Sequence, residues 1–291
     1  GRLTTDAPYI PLNLIVAASA NAPAVGGTGM GTVITDAVPP PPPFAVGPTR
    51  YYKTIQSAVN AAPPGETISV DGGTYVETVV ITKSLTIQRA TVADVPIIDG
   101  NKVGSVFFIK SFDARVTLDG LTIRNGTGSY LTGGEHSGGG IFSWGALTVT
   151  NCNIIGNTTL YGGEGGGIYS YGELTVRNST FSGNIGTSGG GIAMRRQGSV
   201  RHSTFSGNIA TRAGGGLYST SERPESITIQ DSIFSGNQAG AGRPDMTINK
   251  LLVVENSIVQ AAIDGPNNLV DDPNQPLFVR PPSAGDYGDL R

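Results

Sequence analysis

Residues 165–184 read Gly-Gly-Gly-Ile-Tyr-Ser-Tyr-Gly-Glu-Leu-Thr-Val-Arg-Asn-Ser-Thr-Phe-Ser-Gly-Asn. This order of three glycines, an aliphatic residue, a short alternating strand and a closing asparagine occurs four times. The openings lie at 138–141, 165–168, 189–192 and 214–217, and the closing residues are Asn157, Asn184, Asn208 and Asn237. Successive closing asparagines are 27, 24 and 29 residues apart. A period of this size predicts a solenoid in which each repeat contacts its neighbours.

The pattern within one repeat indicates strands. In Leu174–Arg177 apolar and polar residues alternate, as in a half-buried β-strand. Aligning the repeats on the closing asparagine places like residues in columns, as expected for parallel strands roughly 4.8 Å apart. The predicted core columns are Ile154, Phe181, Phe205, Phe234 and Val259, and Val149, Val176, Val200, Ile229 and Val254. A third column, Asn151, Asn178, His202, Asp231 and Asn256, suits a tight turn with left-handed backbone. We interpret the closing asparagines and the phenylalanines as structural ladders.

The pairing of Gly-Gly-Gly-Ile with Phe-x-x-Asn resembles the GGA-Ile and Phe-x-x-Asn repeats of polymorphic outer-membrane proteins. More broadly, it is similar to bacterial surface and secreted members of the right-handed parallel β-helix, pectin-lyase-like superfamily. The matching motifs cover about residues 115 to 260. Upstream, residues 52–77 look like the opening of many such chains, including pectin methylesterases. There Ile55, Ala58, Val59 and Ala62 have helical spacing, which predicts a short amphipathic helix over the first rung.

Composition favours an extracellular or cell-surface scaffold. Charged residues make up 14% of the chain and 43 of its 291 residues are glycine, a balance that suits tight turns and stacked uncharged ladders. The net charge of −3 argues against a nucleic-acid partner. No run of apolar residues is long enough to span a membrane. The chain begins at Gly1 without methionine, which is typical of a processed or excised product. The single cysteine, Cys152, shares a column with serines and is interpreted as a small structural residue.

The first fifty residues lie outside the repeat. Ile10, Leu12, Leu14 and Val16 alternate as a strand would, and Pro39 to Pro43 form an extended spacer without backbone donors. Two interpretations stay open: the strand packs on its own solenoid, or it adds to a neighbouring copy as a donor strand. The prediction is an all-β chain. It comprises an apolar N-terminal arm (1–38), a proline-rich spacer (39–50), a right-handed parallel β-helix of about eight rungs with a short capping helix (51–262), and an irregular C-terminal tail (263–291).

Catalytic residues known from similar β-helix enzymes do not carry over. The Asp-Phe-x-x-Gly signature of pectin methylesterases is absent, as are the Ser-His-Gly of polygalacturonases and the Trp-x-Asp-His of pectate lyases. The remaining candidates for an acidic-polysaccharide lyase or hydrolase are Glu135, His136, Glu164, Arg195, Arg196 and Arg201. Carboxylates and arginines on neighbouring rungs would supply a base and neutralise a uronate, but surface roles explain these residues more simply. We therefore assign no catalytic residue, cofactor or metal site. Asp264, Asp271 and Asp272 are attributed to turns.

Outward aromatic residues form the remaining candidate contact face. Because the aliphatic residue after each glycine triplet points inward, the aromatic residues beside it should point outward. The predicted row is Phe142, Trp144, Tyr169, Tyr171 and Tyr218. Exposed rings bind sugar faces or proteins, and they also stabilise adjacent strands. Three functions remain in competition. They are a self-assembling surface or filament subunit built by head-to-tail contacts through the arm, an adhesin for glycan or host protein, and a carbohydrate-active enzyme; the arm favours the first.

Overall fold

The computed structural model describes residues 44–130, 134–219, 227–248, 252–260, 268–270, 278–280 and 289–290. The chain divides into two units, residues 1–42 and residues 43–291, and every described residue belongs to the second. The predicted assembly residues Ile10, Leu12, Leu14 and Val16 therefore lie outside the described part, as do Asp264, Asp271 and Asp272.

The described residues form one α-helix and 32 short strands. In chain order they are β1 (Ala45–Val46), α1 (Ile55–Ala61), β2 (Thr67–Val70), β3 (Gly73–Val76), β4 (Val79–Ile81), β5 (Leu85–Arg89), β6 (Pro96–Asp99), β7 (Phe107–Ile109), β8 (Arg115–Asp119), β9 (Thr122–Arg124), β10 (Ser129–Tyr130), β11 (His136–Ser137), β12 (Ile141–Ser143), β13 (Ala146–Thr150), β14 (Asn153–Ile155), β15 (Ile168–Ser170), β16 (Leu174–Arg177), β17 (Thr180–Ser182), β18 (Ile185–Ser188), β19 (Ile192–Met194), β20 (Gly198–Arg201), β21 (Thr204–Ser206), β22 (Ile209–Ala213), β23 (Leu217–Ser219), β24 (Ile227–Gln230), β25 (Ile233–Ser235), β26 (Gln238–Ala239), β27 (Met246–Ile248), β28 (Leu252–Glu255), β29 (Ile258–Val259), β30 (Leu269–Val270), β31 (Phe278–Arg280) and β32 (Asp289–Leu290).

Three long parallel sheets wrap around a common interior. Sheet A has the order β1-β2-β5-β8-β13-β16-β20-β24-β28, sheet B the order β3-β6-β9-β14-β17-β21-β25-β29-β30, and sheet C the order β4-β7-β12-β15-β19-β23-β27. A smaller parallel sheet, β18-β22-β26, lies between sheets B and C in chain order, and β10 pairs with β11 as an antiparallel hairpin. One coil therefore runs from sheet C to A to B and back to C.

The predicted all-β parallel β-helix is confirmed, with about seven coils where about eight rungs were expected. The parallel pairing starts at β1, inside the stretch assigned to the proline-rich spacer. It continues to β30, inside the stretch assigned to the tail.

The predicted interior columns are also confirmed. Phe181, Phe205 and Phe234 lie in register on sheet B and are fully buried. Their rings stack face to face, with centroids 4.6 and 4.5 Å apart and planes within 3° of parallel. The strand spacing sets this distance, so each ring covers the next.

The closing asparagines form a buried ladder of amide hydrogen bonds. Asn208 donates from Nδ2 to Asn237 Oδ1 at 3.0 Å and to the Phe181 carbonyl at 2.9 Å. Its Oδ1 accepts from the backbone N–H and the Nδ2 of Asn184. Asn157 and Asn184 repeat the pattern one coil earlier. Because every amide is satisfied by a neighbouring coil, these side chains hold the turn after sheet B without an unpaired buried polar group.

The turn between sheets A and B has the predicted left-handed backbone. Asn151, Asn178, His202, Asp231 and Asn256 have φ between 48° and 54°. The residue that follows each of these is small. Its backbone N–H donates to the side chain of the corresponding residue in the next coil, as Cys152 N–H does to Ser179 Oγ at 3.2 Å. Cys152 thus fills a serine position, and burial raises the pKa of its thiol to about 12.

The glycine triplet is required by backbone conformation and by close approach of coils. Gly189 has a φ of +66°, which disfavours any residue with a Cβ. A Cβ on Gly190 would lie 2.5 Å from the Ile209 carbonyl oxygen, and one on Gly191 would lie 2.5 Å from the Gly216 carbonyl oxygen. The repeated motif therefore packs backbone against backbone as the chain enters sheet C.

Helix α1 covers the N-terminal end of the solenoid, as its spacing predicted. Thr54 caps it by accepting from the Ser57 N–H, and the helix buries Ile55, Ala58 and Val59. The carboxylate of Glu77 accepts from the N–H groups of Ile55 and Gln56 at 2.8 and 3.0 Å. This fixes the helix to the segment after β3.

Candidate ligand-binding groove on sheet C

The predicted aromatic row lies on the outer face of sheet C. The strand register aligns Phe108, Phe142, Tyr169, Ala193 and Tyr218 across neighbouring strands. Phe142, Tyr169 and Ala193 form a hydrophobic cluster of their own, separate from the interior core. The outward direction predicted for this column is therefore confirmed.

The predicted exposure of the row is wrong for two of its members. Phe142 is fully buried and Tyr169 is only 5% exposed, whereas Tyr171 is 45% exposed. Neighbouring rings bury each other. Phe142 stacks on Phe108 with ring centroids 5.0 Å apart, and Tyr169 packs edge-to-face against Phe142 with centroids 5.2 Å apart. Trp144 and Tyr218 are half-buried and pack against the same cluster.

A second line of rings follows the edge of sheet C, where each coil turns toward sheet A. Trp144 stacks on Phe112 with centroids 5.3 Å apart and planes 8° from parallel. Phe112 also meets the edge of Tyr171 at 5.8 Å, and Trp144 meets Phe108 at 5.4 Å. Phe112 is 64% exposed. Phe112, Trp144 and Tyr171 thus form a ring shelf that reaches solvent beside the buried row.

An open groove of about 560 Å³ adjoins this shelf. Phe108 and Trp144 contribute its apolar lining, and the β10–β11 hairpin contributes Ser129, Tyr130 and His136. The exposed Lys110 also lines the groove. The His136 ring contacts the rings of Tyr130 and Tyr161, at 5.9 and 5.1 Å, so the hairpin side of the groove is aromatic as well. We refer to this feature as the sheet C groove.

The candidate catalytic residues divide into a paired group and scattered ones. Arg195 Nη2 donates to Glu164 Oε2 at 2.5 Å, and Arg195 Nε donates to the Tyr169 hydroxyl at 3.2 Å. The guanidinium also lies over the Tyr169 ring, 5.7 Å from its centroid. The structure therefore brings Glu164 and Arg195 together on the outer side of sheet C, next to the aromatic row.

The electrostatics of Glu164 combine burial with three charged neighbours, of which Arg212 acts in the same direction as Arg195. Burial raises the pKa of its carboxyl, Arg195 opposes this shift, and Glu135 adds to it. Burial lowers the pKa of Arg195, but the Tyr169 hydrogen bond and nearby negative charge raise it more, so the guanidinium stays charged. Glu164 is thus the member of the pair whose charge responds to pH.

Two other candidates, Arg196 and Arg201, lie apart from this pair. Arg196 is exposed beyond the end of β19. Arg201 belongs to β20 of sheet A, where it is aligned with Arg177. Sequence reasoning thus grouped residues that the fold places on different sheets.

Several residues of the groove and of the adjoining shelf were missed from the sequence: Phe108, Lys110, Ser129 and Tyr130 in the groove, and Phe112 in the shelf. They belong to coils that precede the first glycine triplet, so the repeat motif did not align them. The signal was the run Val106-Phe107-Phe108-Ile109, in which inward Phe107 and outward Phe108 mark a further strand of sheet C.

Among the residues that the structure describes, no group of three or more His, Cys, Asp or Glu side chains is placed to hold a metal ion. No helix in the same residues has the length and apolar character needed to cross a membrane.

Several solved structures are similar to this chain. The pectin methylesterase from Aspergillus niger in deglycosylated form is 17% identical, with 79% of this chain and 86% of that chain covered and a TM-score of 0.46. PemA, the pectin methylesterase from Erwinia chrysanthemi, is 12% identical, with coverages of 77% and 80% and a TM-score of 0.46. The Escherichia coli protein YbhC is 16% identical, with coverages of 87% and 81% and a TM-score of 0.44. Likeness at this level carries no argument about chemistry.

A comparison with curated proteins finds no match. The family described as "Right handed beta helix region" matches residues 69–258, which is more than half of the chain. The chain therefore belongs to the right-handed β-helix family.

Proposed function

We propose that this protein is an extracellular or cell-surface β-helix that binds glycan chains in the sheet C groove, as an adhesin does. The observation that carries the proposal is the combination of an open groove, an adjoining shelf of partly exposed rings, and polar side chains along its rim.

The chemistry of the groove suits a sugar ring. A pyranose presents apolar C–H groups on its faces and hydroxyl groups around its edge. Phe108 and Trp144 supply flat apolar surfaces, and Lys110, Ser129 and His136 supply hydrogen-bonding groups around them. Apolar lining with a few placed polar groups is the usual make-up of a small-ligand site.

The enzyme alternative has weaker support in the same region. Glu164 and Arg195 lie close together, but each is a direct partner of the other and Tyr169 holds the guanidinium further. Burial raises the pKa of Glu164, but its Oε2 already accepts from Arg195, so the carboxylate is engaged within the protein and is not free to accept a proton from a substrate. We therefore expect no unsaturated uronate and no new reducing ends when the protein is incubated with pectate, alginate or hyaluronan. Reproducible turnover that Glu164→Gln abolishes would favour the enzyme instead.

The head-to-tail filament rests on residues 1–38, which lie outside the described part of the chain, and it stays a prediction. Host protein as a ligand of the same face is likewise untested. The groove is the feature that selects glycan binding among these alternatives.

The single tryptophan of the chain gives a direct test. Trp144 is the only tryptophan and lines the groove, so its fluorescence reports occupancy without a label. Titration with a panel of neutral and acidic oligosaccharides should produce a saturable change for at least one of them. Phe112→Ala and Lys110→Ala should then weaken binding about tenfold each, which corresponds to about 1.4 kcal/mol.

Tyr51→Ala is the matched control, because Tyr51 is an exposed ring that belongs neither to the groove lining nor to the ring shelf. Its affinity should equal that of the unchanged protein. A panel without any saturable response, or equal losses in Tyr51→Ala and Phe112→Ala, would reject the groove as the binding site.

A further inference from the structure

Arg177 and Arg201 lie side by side on the outer face of sheet A, and we call them the arginine pair. The register aligns Arg177 of β16 with Arg201 of β20, so the two side chains project from neighbouring coils roughly 4.8 Å apart. Arg177 is exposed and Arg201 is half-buried. Like charges that face each other on paired strands repel and are destabilising. The pair therefore needs a compensating negative charge.

The part of the chain that the structure describes does not provide this charge. Within it, neither guanidinium forms an ion pair or a side-chain hydrogen bond. Glu173 precedes Arg177 by four residues, roughly 13 Å along the strand. The carboxylates at the same end of the sheet A strands have other partners: Asp119 accepts from Asn151 at 2.7 Å, Glu255 from Gln230 at 2.7 Å and Asp231 from Asn256 at 3.2 Å.

One nitrogen of the pair is also left without an acceptor. Nε of Arg201 is shielded from solvent, and no described residue accepts a hydrogen bond from it. A shielded donor without an acceptor is costly, and most such groups in native proteins are satisfied. An acceptor carried by a ligand would remove this cost and the repulsion between the two guanidinium groups.

A column of hydroxyl groups runs beside the arginine pair. It lies two residues earlier on each strand and therefore on the same outer face. Its members are half-buried: Thr148, Thr175, Ser199 and Thr228. Hydroxyl groups both donate and accept, so this column can bond an anion held by the arginines or hydroxyl groups attached to that anion.

We propose that the arginine pair binds one phosphate or sulfate group, carried on a hydroxyl-rich ligand such as a sugar ester. Each guanidinium presents donors in a planar fork that matches the oxygens of such a group. A phosphate or sulfate ester has three free oxygens, enough for both forks and for a hydroxyl of the neighbouring column. A carboxylate has only two. This site on sheet A is distinct from the sheet C groove and does not depend on glycan binding there.

The charges along the same column limit the site to one such group. In coil order the column is Asp119, Thr150, Arg177, Arg201, Gln230 and Glu255. The positive stretch is two coils long, and a carboxylate stands two coils beyond each arginine, roughly 10 Å away. Those carboxylates would repel a polyanion laid along the sheet. A ligand with one charged group between uncharged polar flanks fits this pattern.

Titration of the full chain with inorganic phosphate, inorganic sulfate and glucuronate tests the site. Calorimetry at constant ionic strength gives the three affinities, and phosphate or sulfate should bind more tightly than glucuronate. The NMR signal of the Arg201 Nε–H group, identified by its loss in Arg201→Lys, should shift saturably with the tighter anion. Arg177→Gln and Arg201→Lys should each weaken that affinity about tenfold, the second because lysine keeps the charge and loses the fork.

Arg115→Gln is the matched control, because Arg115 is an exposed arginine on the outer face of sheet A outside the pair. Its affinity should equal that of the unchanged protein. Arg177 is exposed, so Arg177→Gln should keep its melting temperature in chloride. Equal losses in Arg115→Gln and Arg177→Gln would show that overall charge attracts the anion, and would overturn the site. The absence of a saturable response, or tighter binding of glucuronate, would overturn it as well.

Glucose 6-phosphate extends the test to the hydroxyl column. It should bind more tightly than inorganic phosphate, and a Thr148→Ala/Thr228→Ala variant should reduce this advantage without changing the affinity for inorganic phosphate. Equal affinities of the two probes would overturn the hydroxyl-rich ligand. Trp144 fluorescence should stay constant in these titrations, because Trp144 lines the sheet C groove. A response at Trp144 without a shift of the Arg201 signal would place the anion in that groove and overturn the site on sheet A.

Discussion

The interior phenyl column on sheet B and the aromatic row on sheet C are built from similar residues and differ in what surrounds them. Phe181, Phe205 and Phe234 are identical, fully buried and parallel. The row on sheet C changes from Phe to Tyr to Ala, and the Phe142 and Tyr169 rings meet at 75°. Its flank carries rings that reach solvent, such as Phe112.

This difference separates stability from function within one repeat. A column in the interior must repeat the same shape in every coil, because each ring packs on the ring of the next coil. A row on the outside is free to vary, and its variation creates a groove and a polar rim. The interior column therefore specifies the fold, and the outer row specifies what the fold can contact.

The interior column should show the largest effect of any single substitution. Phe205→Ala removes a ring that contacts rings on both sides, and it should lower the free energy of unfolding by about 3 to 5 kcal/mol. Urea denaturation monitored by circular dichroism measures this. Thr175→Ala, on the half-buried outer face of sheet A, is the control and should change stability by about 0.5 kcal/mol or less. Equal losses in the two variants would contradict the assignment of inside and outside.

The asparagine ladder should rank second. Asn208→Ala leaves the backbone N–H and the Nδ2 group of Asn184 without their acceptor, and it leaves the Phe181 carbonyl without a donor. Buried groups left unpaired should cost about 2 to 4 kcal/mol in total. Asn178→Gly tests the exposed ladder while keeping the left-handed turn, and it should cost about 1 kcal/mol or less. Similar losses in both variants would mean that burial does not distinguish the ladders.

The outer row should rank third, because its rings are buried on one side of a single sheet. On an exposed face, Tyr169→Ala would cost about 1 kcal/mol or less. Since Tyr169 is buried and holds Arg195, we expect a loss of about 2 kcal/mol, still below that of Phe205→Ala. Tyr171→Ala, on the exposed shelf, is the matched control and should be close to neutral. If Tyr169→Ala were as stable as the control, Tyr169 would contribute no burial, as expected for the exposed contact face predicted from the sequence.

The repeated part of the chain was predictable because like residues must stack at the strand spacing. The register of Phe181, Phe205 and Phe234, and the left-handed turns from Asn151 to Asn256, follow from that rule. The helix α1 was predictable from the spacing of Ile55, Ala58 and Val59.

The groove was not predictable in the same way. Apart from Trp144, its lining comes from coils without the glycine triplet and from the β10–β11 hairpin, which interrupts the repeat. Whether an outward ring is covered depends on the ring in the next coil and on loop placement, and alternation in one strand contains neither. For this reason the direction of Phe142 was predicted correctly and its exposure was not. Likewise, the pairing of Glu164 with Arg195 links residues 31 apart in the chain.

The smallest predicted effect is a pH dependence at Glu164. Its folded pKa is raised, chiefly by burial, so the protonated carboxyl is the form that the fold favours. The corresponding contribution to stability is complete below the unfolded pKa, near 4.3 for a glutamate, and is lost as pH rises through the folded pKa.

Glu164→Gln is neutral at every pH and lacks this loss. The melting temperature of the unchanged protein should therefore fall relative to that of Glu164→Gln as the pH rises from the unfolded pKa through the raised folded pKa. Glu135→Gln serves as the control, because Glu135 is exposed and its removal should only reduce the slope. The opposite result is that the unchanged protein becomes more stable than Glu164→Gln as the pH rises. It would show that Arg195 affects the pKa of Glu164 more strongly than burial does, and that the ion pair dominates the electrostatics on the outer side of sheet C.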